Sequence, residues 1–212
     1  MKIGIIGASG RIGQRLVAEA VQRGHSVTAF TSKPSKIPAD PGKVAWKTAN
    51  VLEVDSVAAA MAGQDALITS FMPPMGEDPR PIATAAGVLL KAAEREPSTR
   101  ILFVGGAGSL EVAPGKTVID AGMIPAEWVA IPIAHKDALE IFRKNSTVNW
   151  TFFSPAGEIK AGERTGKFRL GGDQLIVDEH GKSEISMEDY AVAMLDETEK
   201  PQHTRKRFTI GY

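Results

Sequence analysis

Three glycines spaced three apart, Gly7, Gly10 and Gly13, follow the short β-branched run Lys2-Ile-Gly-Ile-Ile6. Behind them Ile12, Leu16, Val17, Ala20 and Val21 recur at helical spacing on one face, and Gly24 stands where a helix would be capped. Glycines between a strand and a helix permit a tight turn, close approach of backbone to a pyrophosphate, and close packing of helix on strand. The helix start adds free N–H groups and the positive end of its dipole. Ser26-Val-Thr-Ala-Phe-Thr31 reads as a second strand, so the motif sits in the strand–helix–strand unit that gives it meaning as a dinucleotide site.

The identity of the dinucleotide should be written after that second strand. An acidic residue there would grip the two ribose hydroxyls of NAD. The sequence instead runs Thr31-Ser-Lys-Pro-Ser-Lys36, and Arg11 lies inside the glycine loop. Hydroxyls and cations suit a 2′-phosphate, so NADP is expected over NAD.

Positioning these groups requires a parallel sheet. The chain alternates strand and helix: 44–49, a short helix 56–61, 66–71, a proline-rich loop through Pro81, a helix 82–94, and the strand 100–104. A Gly/Pro-bearing loop to Pro125, a helix 134–144 and a strand 150–153 follow. This alternation predicts an α/β, single-domain, Rossmann-like, doubly wound parallel sheet with helices on both faces. In the last quarter, 167–170 and 175–177 read as a β-arm, Ser186-Met-Glu-Asp189 as a helix cap opening a helix through Leu195, and 207–210 as a closing strand. Residues 156–185 are taken as a small C-terminal substrate-side elaboration of one domain spanning 1–212, too short for a core of their own.

Composition limits the alternatives. The 212 residues hold 25 Lys and Arg against 25 Asp and Glu, so no basic surplus draws the chain to nucleic acid or an anionic membrane. With no cysteine, disulfides, zinc knuckles, iron–sulfur sites and thiol nucleophiles are excluded together. His25, His180 and His203 lack metal-ligand spacing and are read as surface residues, with no metal expected. No apolar run approaches about 18 residues, and a cytoplasmic location is expected.

Several stretches carry a resemblance: the first thirteen residues, Asn50-Val51, Asn149-Trp-Thr-Phe-Phe-Ser-Pro155 and Ile185-Ser-Met-Glu-Asp-Tyr-Ala191. Over essentially the whole chain they resemble the atypical short-chain dehydrogenase/reductase group. Within it they are most similar to the NAD(P)H-binding proteins called NADH-flavin reductases, relatives of NmrA-like proteins and of flavin/biliverdin reductase B. The resemblance implies that Gly7, Ser9, Gly10, Arg11, Ile12 and Gly13 line the pyrophosphate and adenosine side. It implies Ser32 and Lys33 at the adenine ribose and Asn50 and Val51 at the adenine. Ser70, Phe71 and Met72 would pass the nicotinamide ribose, Pro155 and Ala156 the carboxamide, and Ser109 would face substrate. Other members carry Arg where this chain has Ser32.

One departure from the superfamily pattern bears on mechanism. Typical members use Tyr-x-x-x-Lys, the Tyr as acid and the Lys lowering its pKa while holding ribose. Lys136 matches the Lys, but the Tyr position is Pro132. His135-Lys136 is similar to a His-Lys pair in the flavin/biliverdin reductase relatives. Lys136 is therefore a candidate ribose ligand, and His135 either a proton donor or a polar wall. Tyr190 is read as a core aromatic, and of the tryptophans only Trp128 is placed to reach a cleft mouth.

The expected function is an NADPH-dependent oxidoreductase passing hydride to a flat aromatic acceptor, such as a quinone or free FMN or FAD as substrate. The alternatives are a catalytically idle NAD(P)-binding redox sensor of NmrA-like type and an epimerase-like enzyme. A small-molecule partner is expected, with no nucleic acid or membrane, for a monomer or homodimer.

Overall fold

A computed structural model describes all residues 1–212. In chain order the first part runs β1 (Lys2–Ile6), α1 (Arg11–Gln22), β2 (Ser26–Thr31), β3 (Ala45–Thr48), α2 (Val54–Met61), β4 (Ala66–Thr69), α3 (Pro81–Ala93) and β5 (Arg100–Val104). A small hairpin, β6 (Glu111–Ala113) with β7 (Lys116–Thr117), interrupts the loop to α4 (Ala130–Arg143). The remainder is β8 (Trp150–Ser154), β9 (Glu158–Lys160), β10 (Arg169–Gly171), β11 (Glu184–Ser186), α5 (Met187–Glu199) and β12 (Lys206–Gly211).

Eight strands form one sheet in the order β10-β12-β8-β5-β4-β1-β2-β3, parallel except for the antiparallel edge strand β10. Chain order reverses between β1 and β4, and a crevice at such a switch point is where open α/β sheets bind ligands. Central strands buried on both faces need apolar residues at every position, and β4, β5 and β8 are buried throughout. One face is covered by α2, α3 and α4 over Phe103, Phe142, Trp150 and Phe152. The other is covered by α1 and α5, where Tyr190, Phe153 and Phe208 stack in sequence. Tyr190 is fully buried and its hydroxyl donates to the Phe153 carbonyl at 2.6 Å, which makes it the core aromatic expected. None of the helices is long and apolar enough to cross a membrane.

The last quarter differs from expectation. Segments 167–170 and 175–177 do not pair as an arm. Arg169–Gly171 lies along β12, covering an edge that would otherwise present unpaired backbone groups, while the Leu175 N–H donates to the Glu111 carbonyl. Like the β6–β7 hairpin, two further strands were not foreseen: β9 and β11 pair parallel in a small sheet of their own. Helix α4 begins at Ala130 rather than 134, because Pro132 falls in the first turn, where its missing N–H leaves no bond broken. Ser186 caps α5 as read, its Oγ accepting from the Asp189 N–H at 2.9 Å, but the helix continues to Glu199. His203 is not a free surface residue: its ring stacks on Phe208 and its Nδ1 lies 2.7 Å from Glu197.

Candidate functional site

The carboxyl ends of β1, β2, β3, β4, β5 and β8 share one edge of the sheet, and that edge collects the residues singled out above. Gly7 follows β1 with φ of +77°, a left-handed conformation that favours glycine. A Cβ there would lie 2.2 Å from the Ser70 carbonyl oxygen, so the glycine loop rests directly on the end of β4. That contact sets Ser70, half-buried Phe71 and exposed Met72 beside the loop. At Gly13 a Cβ would stand 2.1 Å from the Gly7 carbonyl oxygen, which fixes how closely α1 approaches β1. Gly10 is exposed and extended; a Cβ there would meet one atom, the Gly7 carbonyl oxygen at 3.1 Å, and as N-cap of α1 it has no side chain to occupy the helix start.

The consequence is a cluster of unused donors. The N–H groups of Ser9, Arg11, Ile12 and Gly13 donate to no protein acceptor. Ser9 Oγ sits 3.3 Å from Thr31 Oγ1, tying the loop to the end of β2. Free N–H groups at a helix start form an anion site, and this cluster fits the pyrophosphate of a dinucleotide. Next to it an open hollow of about 390 Å³ is lined by Ser32, Thr48, Ala49, Asn50 and Ser56. Ser32 and Asn50, expected near the adenosine, thus share this hollow. Val51, expected at the adenine, is instead buried in the core and does not line that hollow. Asn50 organises the turn there: its N–H donates to Ser56, its side-chain amide donates to Glu53, and its Oδ1 accepts from Leu52. Arg11, Lys33 and Lys36 are exposed, and none of them takes part in an ion pair.

Farther along the edge, Pro155 and Ala156 are buried in the turn after β8. His135, in α4, is also buried; its ring stands edge-on to Phe103 and lies over Gly106, where a Cβ would be 3.0 Å away. Burial alone pushes its pKa down to about 4, so the imidazole is neutral at pH 7. Lys136 is half-exposed and unpaired, and its charge helps hold the Asp120 carboxyl below its usual range, behind the larger effect of the Thr117 hydrogen bond.

Ser109 is placed differently from what the resemblance implies. Its hydroxyl accepts from Arg207 Nη1 at 3.3 Å, and Ser109 itself is buried. Arg207 was not singled out from sequence. Its almost fully buried guanidinium also bonds Asp173, which Arg143 engages at 2.9 Å, and reaches Ser154 Oγ. An arginine opening the otherwise apolar run Arg207-Phe-Thr-Ile was the one available signal, since a charge in a buried strand requires a partner.

The loop from β5 to α4 forms the outer wall. Together with the loop after β4 it leaves Met72, Met75, Met123 and Trp128 exposed, the last at 63%.

Residues 7–201 match the family model described as NAD(P)H-binding. A solved structure from Burkholderia pseudomallei, provisionally named an exported protein, is 42% identical with a TM-score of 0.90, covering 100% of both chains. One from Bacteroides thetaiotaomicron, provisionally named an epimerase, is 40% identical with a TM-score of 0.90, covering 100% of this chain and 96% of that one. A third, from Streptococcus pneumoniae and provisionally named an NADH-flavin reductase, is 30% identical with a TM-score of 0.88, covering 100% and 99%.

Proposed function

The chain belongs to the NAD(P)H-binding family, and from that premise we propose that it is an NADPH-dependent oxidoreductase that delivers hydride to a flat acceptor, a free flavin or a quinone. The observation that carries the reading is the absence of a side-chain acid at the acceptor end. Pro132 stands where the dehydrogenase Tyr would be, His135 is sealed and neutral, and the Ser109 hydroxyl is engaged by Arg207. Reducing an unactivated ketone leaves a localised alkoxide, for which an acid commonly supplies about a hundredfold to ten thousandfold. A reduced flavin or quinone spreads the new charge over its rings, and water can protonate it afterwards.

The bound dinucleotide would supply the hydride; the chain's own residues bind and orient. The free N–H groups of Ser9, Arg11, Ile12 and Gly13 hold the pyrophosphate, Ser32 and Asn50 border the adenosine, and Arg11 and Lys33 take the 2′-phosphate. Lys136 is placed to hold the nicotinamide ribose, and Pro155 and Ala156 meet the carboxamide. The S. pneumoniae relative's name agrees with a flavin acceptor. The epimerase name of the B. thetaiotaomicron relative points to chemistry that would use the superfamily Tyr, and that position is Pro132 here. We place the protein in the cytoplasm, acting on small molecules as a monomer or homodimer.

The test is NADPH oxidation with a panel of flavins and quinones beside simple ketones and secondary alcohols. Turnover confined to the first group is expected. Cofactor binding without turnover of any acceptor would instead identify a redox sensor, and efficient ketone reduction dependent on His135 would restore the dehydrogenase chemistry.

A further inference from the structure

At the edge of the sheet opposite the glycine loop, where β8 and β12 begin and α5 ends, lies a hollow of about 490 Å³ that the reading above does not use. Leu170, Ala193 and Phe208 give it an apolar lining, and Glu197 and His203 share its wall. Their geometry fixes what the imidazole offers. Burial works to raise the Glu197 carboxyl, but hydrogen bonds from His203 and Arg100 hold it below its ordinary value of 4.5. It is therefore ionised in the neutral range and can only accept. Nδ1 of His203, 2.7 Å from Glu197 Oε2, must carry the proton of the neutral ring. Nε2 is left as a bare acceptor, and it has no protein partner and is not sealed from solvent.

The ring is also held in place. A flip would break the Glu197 bond, the imidazole lies flat on Phe208 with 4.2 Å between centroids and 6° between planes, and the His203 backbone N–H donates to the same carboxylate at 2.9 Å. Arg205, whose φ of +53° is the sole positive value outside glycine, closes the turn behind it, a conformation that persists where its surroundings enforce it.

Charge decides what this acceptor can receive. Glu197 is matched by Arg100, Asp196 and Glu199 both take Arg23, and Glu199 also takes His25. Lys200 stands exposed in the same wall. An organic cation would meet carboxylates that are already paired and an ammonium that repels it, while an anion would lie against three carboxylates. A neutral hydroxyl on an apolar body suits the hollow.

We propose that this hollow is a second binding site, for a neutral phenol-type ring whose O–H donates to His203 Nε2 and whose apolar body rests on Leu170, Ala193 and Phe208. The dinucleotide cradle lies at the other ends of the strands, so the two sites fill independently.

The probes 4-ethylphenol and its methyl ether, 4-ethylanisole, differ in the donor alone. Titrated into the native protein and followed by NMR of the His203 ring, the phenol should bind saturably with a Kd of about 1 mM and shift Nε2. The ether should bind at least about fivefold more weakly, and the cation of 4-ethylbenzylamine no better than the ether. NADPH affinity should be the same with and without the phenol. His203→Phe keeps a ring to stack on Phe208 but removes the acceptor, so it should reduce the phenol to the affinity of the ether. Because that variant also strips Glu197 of a donor, Leu170→Asp, at a half-exposed position on the edge strand, supplies a second test with the His203–Glu197 pair intact. It should weaken phenol and ether alike by about fivefold. Equal affinities for phenol and ether, tighter binding of the amine, displacement of the phenol by NADPH, no effect of Leu170→Asp, or no movement of the His203 signals up to the solubility limit would each overturn the proposal. So would a proton found on Nε2 of the neutral ring in the free protein.

Discussion

Around α1 and the end of β2, polar groups stand without partners: four backbone N–H groups at the helix start, and the cations of Arg11, Lys33 and Lys36. Between the segment 158–212 and α1, by contrast, buried and half-buried groups of the same kinds are matched to one another. Glu19 on α1 takes both Arg23 and Arg164, Glu188 takes Arg15 and the Gly162 N–H, and Asp189 accepts from the N–H groups of Thr165 and Gly166 and from the Tyr212 hydroxyl. Arg100 is buried with Glu197, and Arg207 with Asp173, Ser109 and Ser154. Only Arg100 Nε in these buried pairs lacks a partner, and a nearly complete polar network holds the chain in place. Unsaturated donors at a helix start are what a phosphate needs, and they mark where a ligand completes the structure.

Breaking the saturated region should cost stability and leave the ligand site alone. Glu197→Ala strands the buried Arg100 guanidinium, and removing one partner of such a pair typically costs about 3 to 5 kcal/mol. Urea unfolding should show that loss, with NADPH affinity unchanged under conditions where the variant is folded. Breaking the unsaturated region should do the reverse. Gly10→Val fits its extended backbone but places methyls in the pyrophosphate's path, so binding should weaken at least about a hundredfold, roughly 2.7 kcal/mol, with the circular dichroism spectrum intact.

A finer cut separates the cations from the N–H groups. If Arg11 and Lys33 hold a 2′-phosphate, calorimetric titration at one salt concentration should find NADPH bound more tightly than NADH by about 1.5 to 3 kcal/mol, and the double alanine variant should erase the difference. Equal affinities in the wild type would count against NADP.

The smallest effect is on the segment 161–168, which carboxylates strap to α1 and α5. Hydrogen bonding from Arg164, reinforced by Arg23, holds Glu19 below its ordinary value of 4.5 despite its burial. Burial works to raise Glu188, but Arg15 and the Gly162 N–H hold it below 4.5 as well. A depressed folded pKa means that this stabilisation is complete above the ordinary value and lost as pH falls through the folded one. Hydrogen exchange at Gly162, Thr165 and Gly166 should therefore speed up as pH drops below about 4.5, ahead of global unfolding, after correction for the intrinsic exchange rate. With Arg164 nearly half exposed, the Glu19→Gln variant should lose about 1 kcal/mol or less.

The matched and unmatched regions were unequally legible in the sequence. Gly7, Gly10 and Gly13, the strands β1, β2 and β5, and the cap at Ser186 depend on neighbours in the chain, and local periodicity reveals such features. The pairing of β9 with β11, the docking of Arg169–Gly171 on β12, and the Arg207–Asp173–Ser109 cluster join residues 26 to 98 positions apart, which no window on the sequence contains. Ser109 shows the cost of that blindness: its place in a Gly-rich loop suggested an open site, whereas its partner lies at the far end of the chain. His135 was legible as a residue of interest but not as a sealed one, because Phe103 and Gly106 approach it from another strand and loop.

Trp128 stands out for a different reason. Trp150 is sealed in the core, Trp46 is half-buried on an edge strand, and Trp128 projects into solvent from the β5–α4 loop. The long-wavelength part of the protein's native emission should come chiefly from this one indole. A reduced nicotinamide or an oxidised flavin arriving beside it absorbs in that range and would quench it by energy transfer. If the proposed acceptor binds beside that loop, the chain thus carries an intrinsic optical reporter able to time ligand arrival without any label.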